Sequence, residues 1–180
     1  MPSHLYEELE NGVAKLTLSN GSGNPMTPEF LQELNNRLEG LAANPPRALI
    51  LDAGDSTIFS GGFALPIIAH WDRDQIKEFF ASFMGALYSL ILLPCPTIGA
   101  IGGHAIAGGF ILSLGCDFRV VKSGRLKLGL SEVDLGVAVP LSTQVLFAER
   151  TSNHAAYKYG MFGELFGPEA ALEIGYAIAA

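Results

Sequence analysis

The sequence predicts a single α/β domain, and three observations carry that prediction. Short, continuous apolar runs of strand length alternate with longer segments of helical period. A unit of strand, glycine-rich loop and helix occurs twice, with the glycine pairs Gly61-Gly62 and Gly108-Gly109 lying 47 positions apart. The length of 180 residues suits one domain at roughly 150 residues per domain. No linker, charge block or low-complexity tract divides residues 1–180. With 49% apolar and 16% charged residues, the chain can bury a large core and does not have the composition of a disordered segment.

Taken in order, Leu5–Glu8 and Val13–Leu18 flank Asn11-Gly12, a dipeptide that accepts the positive φ of a tight turn, so the N-terminus predicts a β-hairpin. A polar loop, Asn20–Pro25, leads to Thr27 as N-cap and Pro28 in the first helical position. Phe30, Leu31, Leu34, Leu38 and Leu41 then recur at helical spacing until Pro45-Pro46 stops the helix. Ala48–Asp52 reads as a buried strand and Gly54–Gly62 as a loop. A long helix over about Asp74–Leu92 turns Ile76, Phe79, Phe80, Phe83 and Leu87 to one face. The same order follows again: strand Thr97–Ile101, loop Gly102–Gly109, short helix Phe110–Gly115 and strand Phe118–Val121. A third pass over Lys127–Glu149, opened by a strand within Arg125–Gly129, lacks the glycine pair, and helices fill the chain beyond Pro140.

Charge and cysteine usage exclude several classes of function. A net charge of −7 with no basic stripe argues against nucleic-acid binding. Cys95 and Cys116 make no disulfide framework and stand in no metal-ligand spacing, so neither a metal nor another cofactor is expected. Met1-Pro2-Ser3-His4 opens no signal peptide, and the apolar stretch Ala86–Ile101 is broken by Pro94 and Pro96. It is also shorter than the roughly 20 residues that span a bilayer. A cytoplasmic protein in a reducing compartment is the expectation.

Each glycine loop admits two readings. It can be a tight turn only, or it can present backbone N–H groups to a ligand where strand meets helix, with no Cβ in the way. Two such loops can aim two N–H groups at one oxygen, the arrangement of an oxyanion hole. Neither loop spells a phosphate-binding or dinucleotide-binding pattern. A developing oxyanion needs a base to create it. Glu132, set among Leu128, Leu130, Val133 and Leu135, is a candidate because apolar company raises a carboxyl pKa; the competing reading has Ser131 capping a turn and Glu132 in water. Asp117 reads as a structural partner and His104 as a hydrogen-bonded core histidine. Ser60 and Ser113 stand in no G-x-S-x-G elbow, which argues against a serine nucleophile.

Three ordered stretches, Ile58-Phe59-Ser60-Gly61-Gly62-Phe63-Ala64-Leu65, Pro96–Gly109 continuing to Cys116-Asp117-Phe118-Arg119, and Leu128-Gly129-Leu130-Ser131-Glu132-Val133-Asp134-Leu135-Gly136, resemble the enoyl-CoA hydratase/isomerase, or crotonase, family. The resemblance covers nearly the whole chain. It implies a crotonase-like spiral of repeated ββα units, with the C-terminal helices shortened because the chain stops at Ala180.

Transferred by motif position, the two oxyanion-hole amides fall on Phe63 and Gly108, and Gly62, Ala64, Leu65, His104, Gly109 and Ile111 line the site. Ala64 replaces the usual aspartate of the first loop. Of the two glutamates of the hydratases, one position holds Ile111 and the other Glu132, a pattern similar to the single-glutamate Δ3,Δ2-enoyl-CoA isomerases of fatty-acid β-oxidation. An acyl-CoA thioester is then the substrate, coenzyme A being part of it, and a homotrimer or dimer of trimers is the implied assembly where the native C-terminus is complete. Arg73, Lys77 and Arg125 are candidates for the CoA phosphates, and Phe79, Phe80, Phe83 and Met84 for either an acyl tunnel or plain core. Two other readings stay open: a hydratase or related thioester-enolate enzyme, needing a second acid from His104 or Asp117, and a non-catalytic acyl-CoA-binding homologue.

Overall fold

The computed structural model describes residues 4–180; Met1–Ser3, read above for a leader, lie outside the described residues. Strands β1 (Leu5–Glu8) and β2 (Val13–Thr17) form an antiparallel hairpin in the register Leu5↔Thr17 to Glu8↔Ala14. The turn between them puts Asn11 at φ 63° and Gly12 at φ 76°, the left-handed backbone for which Asn-Gly is suited. Helix α1 (Pro28–Ala43) starts where the capping signal places it, with Thr27 Oγ1 accepting from Phe30 N–H at 3.2 Å. Its buried face is Phe30, Leu31, Leu34, Leu38 and Leu41. Full burial of side chains this size contributes about 1.5–3 kcal/mol each, and α1 also packs against the long helix α3 (Arg73–Ile91), where Asn35 Nδ2 donates to Ser82 O at 3.1 Å.

The chain between these helices is richer than a strand and a loop. After β3 (Ala48–Asp52), the segment expected to be loop contains a second strand, β4 (Ile58–Ser60), and a one-turn helix, α2 (Leu65–Ile68), precedes α3. The next pass repeats this: β5 (Thr97–Ile101), β6 (His104–Ile106) inside the expected loop, and α4 (Gly108–Leu114). In the third pass, β7 (Phe118–Val121) and a two-residue β8 (Leu128–Gly129) precede a 3₁₀ turn at Glu132–Leu135 and α5 (Leu141–Arg150). The chain closes with α6 (Asn153–Ala155), a π-helical turn at Ala156–Met161 and α7 (Pro168–Glu173). β4 and β6 hold three residues each, too few to show a period of two against the surrounding glycines.

The repeat is therefore ββα, and its two strands go to different sheets. The first strand of each unit joins a five-stranded sheet of order β1-β2-β3-β5-β7, parallel except for the β1–β2 hairpin. The second strands make a parallel three-stranded sheet, β4-β6-β8. The small sheet ends at the three segments singled out from sequence: directly after β4 comes Gly61-Gly62-Phe63, after β6 Ala107-Gly108-Gly109, and after β8 Leu130-Ser131-Glu132. One fold device thus delivers three short segments to a common edge. No described helix is long and apolar enough to cross a membrane.

Candidate active site

A cavity of about 350 Å³ opens beyond that edge. Its walls include Gly61, Phe63 and Leu65 from the first loop, Ala107 and Ile111 from the second, and Ser131, Glu132 and Leu135 from the third. Helix α3 contributes Ile76, Phe80, Phe83 and Met84, and Pro140 and Thr143 close the remaining side. The surface is almost entirely apolar, and among the described residues Glu132 is the one titratable side chain on it.

The first loop is held so that one N–H is left over. Met26 N–H donates to Gly62 O at 2.8 Å and Ala64 N–H to Met26 O at 3.0 Å. These bonds use the groups on either side of Phe63, as parallel pairing requires, so the N–H of Phe63 itself faces away from Met26. Ser60 Oγ, donating to Asn24 O and accepting from Gly62 N–H, ties the turn from inside. The Phe63 ring is gripped edge-to-face by Phe79, Phe80 and Phe83 at centroid distances of 5.0, 5.1 and 4.9 Å, geometries that favour aromatic pairs.

In the second loop Ala107 N–H donates to Gly129 O at 2.9 Å. Ala107 adopts φ 50°, ψ −123°, a costly conformation for a residue with a Cβ. Gly108 follows as the first residue of α4, where an N–H has no intrahelical acceptor. Neither Phe63 N–H nor Gly108 N–H has an acceptor among the described residues. The two lie close: a Cβ built on Gly62 would come within 2.9 Å of Gly108 N, and one built on Gly108 would press on the Phe63 ring. Glycine at 62 keeps a side chain out of the space beside Gly108 N.

Glu132 begins the 3₁₀ turn after β8. Loss of hydration pushes its carboxyl above the usual carboxylate range, against a weaker downward pull from the N–H groups of Glu132 and Ser131. The shielding comes only in part from the expected sequence neighbours: Leu128 and Leu130 are buried and Leu135 lies on the cavity wall. Val133 and Leu135 are 43% and 58% exposed, and the apolar residues that α3 and the first two loops bring to the cavity complete the shielding. The competing picture of a capped turn does not hold, since the Ser131 side chain makes no cap bond.

Several residues named from sequence lie elsewhere. Phe63, Leu65 and Ile111 are on the cavity wall, while Gly62, Ala64, His104, Gly108 and Gly109 are not, Gly62 and Gly108 standing next to the wall residues Gly61, Phe63 and Ala107. Ala64 is occupied with Met26 O, and His104 Nδ1 accepts from Lys127 N–H at 2.9 Å. Gly109 is buried where α4 crosses β4, its missing Cβ directed at the Ser60 carbonyl. Asp117 Oδ2 accepts from Thr97 N–H and Oγ1–H, a structural clamp. Of the aromatic stripe, Phe80, Phe83 and Met84 reach the cavity, whereas Phe79 supports Phe63 and Trp71 from behind. Arg73 and Lys77 flank Ile76 in α3, and Lys77 is paired with Asp74 at 2.9 Å. Ala107 and Thr143 were invisible in the sequence; an alanine with strained backbone and a lone threonine in a helix carry no signature.

The sequence pattern of the enoyl-CoA hydratase/isomerase family matches residues 8–179, and the chain belongs to that family, within the crotonase superfamily. More particularly, it is 29% identical to the mitochondrial enoyl-CoA delta isomerase 1 of Rattus norvegicus over 171 residues, 94% of this chain and 59% of that protein. It is 31% identical to the mitochondrial methylglutaconyl-CoA hydratase of Mus musculus over 136 residues, 74% of this chain and 43% of the relative. The chain spans about half the length of these curated relatives. Among solved structures, an enoyl-CoA hydratase from Bacillus anthracis matches with a TM-score of 0.91 and 26% identity, over 98% of this chain and 69% of that one. The fold is likewise that of Pseudomonas aeruginosa DspI, with a TM-score of 0.89 at 24% identity over 98% of this chain and 72% of that one.

Proposed function

We propose that the protein isomerises 3-enoyl-CoA thioesters to 2-enoyl-CoA thioesters, with Glu132 moving the proton. The observation that carries this reading is the single carboxyl in an apolar cavity beside two unpaired amides. Glu132 takes a proton from C2 of the bound thioester. Its electron pair delocalises through the carbonyl, giving a dienolate whose oxygen accepts hydrogen bonds from Phe63 N–H and Gly108 N–H. Such preorganised donors lower the barrier where charge develops. The protonated Glu132 then returns the proton at C4, so the double bond moves from C3–C4 to C2–C3 and the carboxylate is regenerated. One acid serves both carbons if they share a face of the extended dienolate. Ile111, at the position where water addition calls for a second carboxyl, favours this over hydration.

Glu132→Gln tests the assignment. It should abolish formation of the conjugated product, followed by its ultraviolet absorbance, while butyryl-CoA still binds. Unimpaired turnover would remove Glu132 from the chemistry. Loss of conjugated absorbance from 2-enoyl-CoA with the unmodified protein would select a hydratase instead, and binding without turnover a non-catalytic homologue. Rate should climb with pH as Glu132 ionises through its raised pKa. Stability runs the other way. A carboxyl whose pKa is raised by folding stabilises the fold when protonated, an advantage complete below the ordinary carboxylate value and lost as pH rises through the raised one. Glu132→Gln should therefore flatten that decline and be the more stable protein at neutral pH, read from urea midpoints across pH.

A further inference from the structure

Two polar atoms on residues that wall the cavity are sealed from solvent and have no hydrogen-bond partner: Glu132 Oε2 and Thr143 Oγ1. Thr143 is 1% exposed and stands in the first turn of α5. A helical threonine ordinarily satisfies its hydroxyl by bonding back to the carbonyl three or four residues earlier. Thr151, which caps the far end of α5, does so, donating to Phe147 O at 2.7 Å. Thr143 does not. The Pro140 carbonyl behind it already accepts from the N–H groups of Thr143 and Gln144. Gln144 Nε2 is also unpartnered, but that side chain lies against Gly160, off the cavity wall. Ser131, the other hydroxyl on the wall, is partly exposed.

A buried donor and a buried acceptor left unpaired are each costly, and catalytic hydrogen bonds are often long in the empty protein and tighten around a ligand. We propose that Thr143 is a positioning residue for Glu132: as a thioester fills the cavity, Thr143 Oγ1–H donates to Glu132 Oε2 and fixes the carboxylate for proton transfer through its other oxygen. The inference rests on the assignment of Glu132 as the proton carrier. No other titratable side chain faces the carboxyl from the walls given by α3, α4, α5 or the first loop, no charged group contributes to its shift, and Asp134 on the same turn is exposed.

The test is the titration of the Glu132 carboxyl, followed by carbon NMR with labelled glutamate in the free protein and in its butyryl-CoA complex. Butyryl-CoA is saturated and cannot isomerise, so the readout needs no turnover. A hydrogen bond to the ionised form lowers its pKa. Thr143→Val, which keeps the shape and removes the hydroxyl, should move the midpoint up by about one pH unit in the complex. Thr143→Ser, which keeps the hydroxyl, should stay near the unmodified protein. A midpoint unmoved by Thr143→Val in both states, or moved equally by Thr143→Ser, overturns the proposal. If Glu132→Gln retains full isomerisation, the functional reading fails, and the titration still reports whether the two side chains are joined.

Discussion

The two glycine-pair turns look alike in sequence and close equivalent strands, yet their glycines answer different demands. In the first turn Gly62 supplies the positive φ, 86°, and Phe63 follows it with the free N–H. In the second turn the positive φ falls on Ala107, and Gly108 follows with the free N–H. In both, a residue of positive φ comes immediately before the proposed donor. The structural repeat thus runs from Phe63 to Gly108, 45 positions, the same offset as the pairing of Ser60 with Ala105. The glycine pairs, 47 positions apart, are out of register by two. Matching the pairs by eye aligns a residue chosen for its backbone conformation with one chosen for want of a side chain.

Gly109 is the sharpest case of the second kind. Its φ is not in the left-handed region; what it permits is the crossing of α4 over β4, where a Cβ would overlap the backbone carbonyl of Ser60. Backbone cannot step aside as a flexible side chain can. Gly109→Ala should therefore give the largest effect, a loss of about 3 kcal/mol, seen as a lower urea midpoint with little change in slope. A loss under half of that would mean that α4 and β4 can separate cheaply, and the contrast between the two turns would weaken.

Gly62→Ala comes next and breaks the comparison from the other side. It forces a Cβ onto a left-handed residue and into the space before Gly108 N. Strain of this kind costs about 1–3 kcal/mol, so the protein should still fold. The greater damage should be functional: obstructing one oxyanion donor costs about 10²–10³ in rate, read as kcat on a 3-enoyl-CoA. A variant that is destabilised but fully active would show that the two amides do not share one oxygen.

These cases also show what the sequence could disclose. Thr27, Pro28 and the leucines of α1 were legible because capping and helical period are local signals, and the Asn11-Gly12 turn for the same reason. Glu132 could be picked out by its apolar neighbours, but these supply only part of its enclosure: Leu128 and Leu130 are buried and Leu135 is on the wall, whereas Val133 is exposed, and distant residues of α3 and α5 complete it. β4 and β6 were missed because three-residue strands are defined only by pairing with each other. His104 and Ala64 lie in the right segments but turn away, a choice set by strand alternation and by pairing to Met26.

Ala107→Gly is the smallest expected effect and the one that probes the comparison most finely. At φ 50°, ψ −123°, alanine carries strain of about 1–3 kcal/mol that glycine would not. Against this, glycine loses about 0.4–1 kcal/mol more through the freedom of the unfolded chain. The relief exceeds the loss, so the variant should be about 1 kcal/mol more stable, a rise in Tm of roughly 3 °C for a chain this long. If the conformation is there for catalysis, stability and activity should part: the loop held by Ala107 N–H on Gly129 O gains freedom, and kcat should fall a few-fold even as Tm rises. A variant that gained stability with no loss of kcat would mean that Gly129 alone fixes the Gly108 amide. The strained alanine would then be a tolerated substitute for the glycine that the first turn uses at the same structural position.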